Sequence, residues 1–302
     1  MALKDIKTKI AATNRTHKVT RAMEAVSAVK MRKTQESALK GRPYARAALQ
    51  ILSRLSAGAD LARHPLTETR EVKKVALVLI TSDKGLAGAL NSGVLKAANE
   101  ALAPFAKDAV TIYAYGKKGF EHMHRRGYKV AKHEENKHDE VELSVMDELV
   151  ADLSKAFTAK DFDEVQVAYS NFKSTFEQVP TVRRLLPLSL GDVTRLVDDI
   201  VPDKGKFSEA AKSEGAPAYT IEPDDAAMLD LLVPRLVAVS LYHMLLESKA
   251  SEHSARMVAM KNASDKSKEV AHDLERLFNK IRQAAITREV SEIVGGREAL
   301  AS

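Results

Sequence analysis

The stretch VALVLITSDKGLAGALN, residues 75–91, joins an unbroken apolar run to a loop with two glycines three residues apart. Six consecutive apolar residues favour a strand covered on both faces. A phosphate-binding P-loop needs GxxxxGK[ST], but Ala89 and Leu90 follow Gly88 here, and the dinucleotide motif GxGxxG is also absent. We therefore favour a structural role for Gly85 and Gly88, in which small residues let a helix start close to a strand end. Their spacing alone leaves a nucleotide site open as the alternative.

Strand-like and helix-like segments alternate around this stretch. The strand-like runs cover residues 72–82, 108–116, 127–132, 162–172 and 181–190, and helical patterns lie near 89–103, 117–126 and 144–157. Strands separated by helices at this interval predict a small parallel or mixed sheet with right-handed crossovers. We assign residues 72–200 to this central domain. Residues 201–220 are rich in Gly, Pro, Ser, Lys and Glu, which predicts a flexible loop.

Long helical segments flank the central domain, over residues 1–58 and 221–302. Residues 1–40 contain neither Gly nor Pro, and the first helix is expected to run through or bend at Gly41 and Pro43. Sixty residues between Pro234 and Gly295 also lack both types, and Pro234 is expected to bend or restart the second helix. Helices of this length cannot both be buried in a 302-residue globule, so they need each other or a partner.

The apolar pattern of the first helix changes along its length. Its apolar positions begin as Leu3, Ile6 and Ile10 and resume as Val19, Ala22, Met23, Val26 and Val29. This phase slip between Arg15 and Lys18 indicates a coiled coil with a stutter, or a helix whose partner face changes. The second helix keeps a regular spacing over Val270, Leu274, Leu277, Ile281 and Ala284, and its apolar face then shifts to Ile286, Val290 and Ile293.

Composition narrows the class of protein. The chain is 45% hydrophobic but only 5% aromatic and has no Trp, which favours aliphatic helix packing. It has no Cys, so disulfides and thiolate metal sites are excluded. The N-terminus lacks the apolar core of a secretory signal. The longest apolar stretch, residues 231–246, is broken by Pro234, Arg235 and His243 and is therefore not predicted to span a membrane. We expect a soluble chain.

The net charge of +6 is concentrated at the N-terminus, where residues 1–60 carry thirteen Lys/Arg against four Asp/Glu. Such a segment should face nucleic acid, anionic lipid or an acidic protein surface. The first 43 residues contain no aromatic side chain that could stack on a base. A basic coiled-coil scaffold or nucleic-acid-binding protein with an α/β domain stays the alternative class.

Candidate catalytic and metal-ligating residues are sparse. His122, His124, His133 and His138 are close in sequence, but His122 and His124 lie two apart on a predicted helix and therefore diverge. No GxSxG elbow or HExxH helix is present, and Asp83 and Lys84 would have to support an enzyme almost alone. We therefore predict no catalytic residues, no metal site and no cofactor in this chain.

Three stretches resemble one known family. IKTKIAATNRTHKVTRAMEAVSAVKMRK (6–33), SEHSARMVAMKNASDKSKE (251–269) and LFNKIRQAAITREVSEIVGG (277–296) resemble the terminal helices of the gamma subunit of F-type ATP synthase. TSDKGLAGALN resembles the glycine loop that opens that family's central domain. The resemblance spans the chain in the right order, although many relatives carry Cys where Ala87 stands, and the 201–220 loop is longer than usual.

This resemblance implies an α/β fold class, with a long antiparallel coiled coil of the N- and C-terminal helices and a small central Rossmann-like domain with a mainly parallel sheet. It also implies a single-copy rotor shaft. In the family, nucleotides bind on the surrounding alpha and beta subunits, and the central domain lies beside the epsilon subunit and the membrane c-ring. Proton flow turns the shaft, which presents a different face to each beta subunit. The implied location is the cytoplasmic face of the bacterial inner membrane, with no nucleic-acid partner.

The resemblance also implies particular contacts. Beta-subunit contacts are expected at Lys18, Arg21, Met23, Lys30, Arg32, Lys33, Arg256, Gln283, Thr287 and Glu289. An apolar bearing is expected at Ile286, Val290, Ile293 and Val294. The glycine loop at Gly85 and Gly88 becomes architecture rather than a nucleotide site.

Overall fold

The computed structural model describes residues 3–40, 64–136, 143–189, 191 and 225–301. The chain forms two compact units. Unit 1 combines residues 1–28 with 256–302, and unit 2 comprises residues 29–255. The domain boundaries expected from the sequence lie between the terminal helices and the central sheet. The boundaries between the two compact units instead lie within the two long helices. The predicted helix beyond Lys40 and the predicted flexible loop at 201–220 lie outside the described residues.

A five-stranded sheet forms the centre of unit 2. Its strands are β1 (Val75–Ile80), β2 (Val110–Tyr115), β3 (Lys129–Glu134), β4 (Glu164–Ser174) and β5 (Glu177–Leu186). The spatial order is β3-β2-β1-β4-β5, and all neighbours are parallel except the antiparallel pair of β4 and β5. The prediction of a mainly parallel sheet is therefore confirmed. Each predicted strand overlaps an observed strand, and their ends differ by a few residues.

Helices cover both faces of this sheet. The α-helices of the described residues are α1 (Leu3–Lys40), α2 (Leu90–Leu102), α3 (Lys117–Arg125), α4 (Leu143–Thr158) and α5 (Asp225–Ala301). On one face, Val94, Ala98 and Leu102 of α2 and Met123 of α3 pack in a core with alternate residues of β1 and β2. On the other face, α4 and the first part of α5 form the larger core. All six residues of β1 are buried, as expected for a strand with cores on both sides.

The first part of α5, within unit 2, is a core helix. It continues through Pro234 as an α-helix, so the helix does not restart there as one of the two expectations had it. Buried Val233, Leu236 and Val237 pack on either side of the proline. Arg235 donates to both carboxylate oxygens of Asp147 on α4 at 2.7 Å, which fixes the helix to its neighbour although proline removes one backbone donor.

By length and composition alone, the same helix carries a stretch that is apolar enough to cross a bilayer. In this structure 67% of that stretch is buried inside the fold. The core helices of soluble proteins and membrane-spanning helices share this composition. In this chain, burial against the sheet accounts for the apolar composition of the stretch.

Unit 1 is an antiparallel pair formed by the beginning of α1 and the end of α5. His17 of α1 contacts Ser264 of α5 at this pairing. The buried or half-buried side chains of α1 recur every seven residues in two series, which are Leu3, Ile10, His17 and Glu24, and Ile6, Thr13, Thr20 and Ser27. The facing side chains of α5 include Met260, Ser264, Ala271, Leu274 and Ile281. A strict seven-residue repeat is the signature of a two-stranded coiled coil.

The predicted phase slip in α1 is therefore absent from the seam. Small polar residues continue the inward face where the apolar pattern lapses, and Thr20 and Ser27 are 9% and 3% exposed. The Thr20 hydroxyl donates to the carbonyl of Thr16, one turn earlier, so burial does not leave it without a partner. Val19 and Val26, which the sequence placed on the packing face, are instead 58% and 54% exposed.

Candidate partner-binding surfaces

The glycine loop at residues 81–89 joins β1 to α2. Gly88 has φ of +57°, in the left-handed region that glycine adopts without the steric cost of a Cβ. A Cβ placed on Gly85 would meet no atom within 4 Å, so close packing does not require glycine there. Leu86 between them also has a positive φ, at 63°, and its side chain is exposed.

Hydrogen bonds tie this loop to its own helix and to the next one. Asn91, in the first turn of α2, accepts from the Ser82 amide at 3.0 Å and donates to the Ser82 hydroxyl at 2.7 Å. Asp83 Oδ1 accepts from the Lys117 amide at 2.7 Å, at the first residue of α3. The carboxylate thus lies at a helix N-terminus, where negative charge is favoured. Asp83 and Ser82 are engaged in building the loop, which supports its architectural role.

Three glycines that sequence reasoning missed allow close approaches between described elements of unit 2. A Cβ on Gly93 of α2 would lie 2.7 Å from Pro180 Cγ on β5. A Cβ on Gly116 would overlap the carbonyl oxygen of Thr81, and Gly116 also has φ of +113°. Gly119 of α3 packs on Leu79 and Thr81, with its amide donating to Thr81 Oγ1 at 2.8 Å. Gly116 follows β2 directly, which is the one signal that could have identified it.

In unit 1, the outward face of α1 mixes basic and apolar side chains. Lys18 and Arg21 are exposed, and Met23 is half-buried. The exposed Val19 lies between Lys18 and Arg21 in sequence, and the exposed Val26 follows Met23 by three residues. This surface can offer both cations and aliphatic contact to an acidic partner. In unit 2, Lys30 of the same helix is half-buried, while Arg32 and Lys33 are exposed.

The end of α5 presents a second exposed surface in unit 1. Arg256 is half-buried, and Gln283, Thr287 and Glu289 are exposed. The four expected bearing residues, Ile286, Val290, Ile293 and Val294, are between 50% and 72% exposed. Since His17 faces Ser264 in an antiparallel pair, the first described residue of α1, Leu3, falls opposite about residue 278. The last two dozen or so residues of α5 therefore extend past the described start of α1.

The histidines do not assemble a metal site within the described residues. His133 stacks on Phe120 at 4.1 Å between ring centroids, and His122 contacts Asn99. The described parts of the chain contain no group of three or more His, Cys, Asp or Glu side chains that could hold a metal ion. His138 lies outside them.

The chain has two long terminal helices that pair along a heptad seam, and a mainly parallel sheet lies between them in sequence. These features define a class of α/β proteins with a helical stalk. The family model described as ATP synthase matches residues 2–300. The ATP synthase gamma chain of Heliobacterium modesticaldum is 37% identical over 99% of both chains, and that of Bordetella pertussis is 40% identical over 99% of both. The chain belongs to the ATP synthase gamma-chain family.

Solved structures show the same fold. A chain from the central stalk and c-ring structure of the Tetrahymena thermophila mitochondrial ATP synthase has a TM-score of 0.57 at 26% identity, over 82% of this chain and 99% of that one. A chain of the Euglena gracilis mitochondrial ATP synthase has a TM-score of 0.64 over 99% and 94% of the two chains. Its 18% identity supports the fold alone.

Proposed function

We propose that this chain is the single-copy rotor shaft that couples rotation of a proton-driven c-ring to conformational changes at catalytic sites on beta subunits. It carries no catalytic site of its own. Alpha and beta subunits surround the helices of unit 1, and the sheet of unit 2 contacts the epsilon subunit and the c-ring. The complex lies on the cytoplasmic face of the bacterial inner membrane, and nucleic acid is not a partner.

The observation that carries this proposal is the end of α5. Four aliphatic side chains in nine residues, Ile286, Val290, Ile293 and Val294, are at least half exposed on a helix that extends past the described start of α1. Contiguous apolar surface of this kind marks a binding site in soluble proteins. An apolar contact makes few directional bonds, so a surrounding sleeve would not hold the helix at one angle.

Coupling follows from unequal contacts. A single shaft inside a ring of beta subunits touches each of them with a different face. A shaft that contacts the beta conformations unequally shifts their populations, and with them their affinities for ADP, phosphate and ATP. The basic outward face of α1, with Lys18 and Arg21, provides the contact that we expect with an acidic lever on beta.

Rotation can be tested directly because the chain contains no Cys. Ala159→Cys places the chain's single thiol on an exposed position after α4, where a bead can be attached to the chain in an alpha–beta complex held on a surface. We expect ATP to drive continuous rotation of the bead. A bead that stays still while the complex hydrolyses ATP would contradict the rotor assignment.

The purified chain by itself should hydrolyse no ATP, and turnover that survives removal of contaminating beta subunit would contradict the absence of a catalytic site.

A further inference from the structure

A groove of about 550 Å³ lies between α2 and α3 in unit 2. Its first wall is one face of α2 together with the residue that follows the helix, and it is formed by Ser92, Leu95, Lys96, Asn99, Glu100 and Ala103. His122 of α3 and Arg126, the residue directly after α3, form the other wall. The α2 wall spans three helical turns, or about 16 Å. A groove of this length suits a segment of polypeptide better than a compact small molecule.

A hydrogen-bond network holds the floor of the groove in one arrangement. Arg126 donates through Nη1 to Asn99 Oδ1 at 2.8 Å, and Asn99 Nδ2 donates to the Leu95 carbonyl at 2.6 Å. The same Nδ2 lies 3.3 Å from His122 Nε2, which must therefore accept. Burial lowers the pKa of His122, and the nearby Arg126 and Arg125 lower it further, which agrees with a neutral imidazole. The positive charge of the groove thus resides on Arg126 and Lys96.

The surroundings of the groove are basic. Residues 117–126, which contain α3, hold four Lys/Arg against the one acid Glu121. Lys107 extends this surface, since its ammonium group donates to the carbonyl of Arg126 at 2.9 Å. The acid in the groove, Glu100, lies 3.9 Å from Lys96 with both side chains largely exposed, and a pair of this kind contributes little. Both cations can therefore serve an incoming carboxylate.

We propose that this groove binds a short acidic segment of a partner protein chain. One carboxylate of the segment pairs with the Arg126 guanidinium, a second pairs with the Lys96 ammonium, and an apolar side chain packs on Leu95. Guanidinium groups bind carboxylates in a planar, two-pronged geometry, and the Asn99 contact presets the orientation of this one. The inference rests on the proposed function only in expecting that the partner belongs to the assembled complex.

Photo-cross-linking of the full chain in its own membranes tests the groove. The photoreactive residue p-benzoylphenylalanine replaces Ala103, an exposed groove residue, and in a matched variant it replaces Ala159, an exposed alanine after α4. We expect the Ala103 variant to cross-link to a partner segment with at least two Asp or Glu within about two helical turns. The Ala159 variant should not reach that segment.

Charge reversal then tests how the segment is recognised. Lys96→Glu together with Arg126→Glu should lower the Ala103 cross-link yield about fivefold or more, as expected for two exposed ion pairs replaced by repulsion. Lys96→Glu alone, on a largely exposed side chain, should lower it about twofold. Lys155→Glu, on an exposed position of α4, should leave the yield unchanged.

Three results would overturn the proposal, namely no cross-link from Ala103, a segment without acidic residues, or a yield that charge reversal does not change. Co-purification of alpha and beta subunits with the chain is measured on the same membranes. Normal assembly without the Ala103 cross-link removes the groove proposal and leaves the rotor proposal intact. A charge-dependent cross-link to an acidic segment in a complex without alpha and beta supports the groove and removes the rotor proposal.

Discussion

His17 Nδ1 lies 2.9 Å from Ser264 Oγ and 3.0 Å from the Ser264 carbonyl oxygen, across the seam between α1 and α5. A protonated Nδ1 can donate to the carbonyl, and the imidazole then fixes the register of the two helices at one point. Polar residues in a coiled-coil seam commonly specify register in this way, at some cost in stability.

His17→Ala should loosen unit 1 locally. Loss of one hydrogen bond at a half-buried site costs about 0.5–1.5 kcal/mol, which corresponds to a two- to tenfold faster exchange of the protected amides nearby. Hydrogen exchange measured by mass spectrometry over residues 257–271 provides the readout. Arg15→Ala, on an exposed position of the same helix, is the control. Equal exchange rates in the two variants would show that the contact does not hold the pair together.

Gly116→Ala should destabilise unit 2 strongly. The backbone of Gly116, at φ of +113° and ψ of 139°, is one that residues with a Cβ rarely adopt and costs an alanine about 1–3 kcal/mol, and overlap of its Cβ with the Thr81 carbonyl adds about 1–3 kcal/mol. Gly127→Ala is the matched control, because Gly127 has φ of +78° but open space around it. Urea unfolding can be followed by tyrosine fluorescence, since unit 1 contains neither Tyr nor Trp. Equal losses in the two variants would mean that the close approach to Thr81 does not matter.

The stability of unit 2 should depend on Asp163 at low pH. Burial by itself would raise the pKa of Asp163, but the amides of Lys74 and Lys73, which donate to Oδ2 at 2.9 Å, and the Arg70 guanidinium together lower it below 3.8. The folded state therefore favours the carboxylate. Its stabilising contribution is complete above the unfolded pKa of about 3.9 and is lost as the pH falls through the lower folded value.

Asp163→Asn tests this dependence. The wild-type chain should be more stable than the variant at neutral pH, and the difference in free energy of unfolding should shrink as the pH falls below about 4. Urea unfolding by tyrosine fluorescence at several pH values measures it. Asp161→Asn, on a neighbouring exposed carboxylate, should show no such trend. A difference that stays constant down to low pH would show that the carboxylate charge is not what stabilises this site.

Met23→Lys should impair coupling more than hydrolysis. If the half-buried Met23 faces an acidic lever on beta, the new ammonium gains an ion pair, worth about 0.2–1 kcal/mol for an exposed pair and more for a desolvated one, which favours some rotor angles over others. ATP hydrolysis should persist, while ATP-driven acidification per ATP hydrolysed should fall in reconstituted vesicles. Ala25→Lys places the same charge on an exposed position of the helix and serves as control. An unchanged coupling ratio would remove Met23 from the contact surface.

Arg256→Ala should reduce both turnover and coupling. We expect its guanidinium to contact a loop of beta, and loss of a charge-assisted hydrogen bond costs about 1.5–3 kcal/mol. The same vesicle assay reports the hydrolysis rate and the acidification rate side by side. Arg276→Ala removes an exposed arginine elsewhere on α5 and should change neither rate. Full activity of Arg256→Ala would place the beta contact at other residues.

The sheet was predictable because its strands carry strong local signals. VALVLI could be read as a covered central strand, and the alternation of strand and helix gave the parallel topology. The seam of unit 1 was harder to predict, because Thr20 and Ser27 hold heptad positions that apolar periodicity overlooks. Apolar residues such as Val19 then suggested the wrong face. Side chains that contact other subunits differ from other surface side chains of a single chain only in being exposed to solvent. The partner-contact residues of α1 and α5 therefore stay predictions from the resemblance.

The strict seven-residue repeat of unit 1 also has a mechanical consequence. Two helices joined along such a repeat wind around each other with a left-handed supercoil. A supercoil of fixed hand responds unequally to torque. Twisting in the sense of the supercoil tightens the two helices around each other, and twisting in the opposite sense unwinds them. The pair formed by α1 and α5 should therefore be stiffer under torque of one direction, and it would store less elastic energy per unit of torque in that direction.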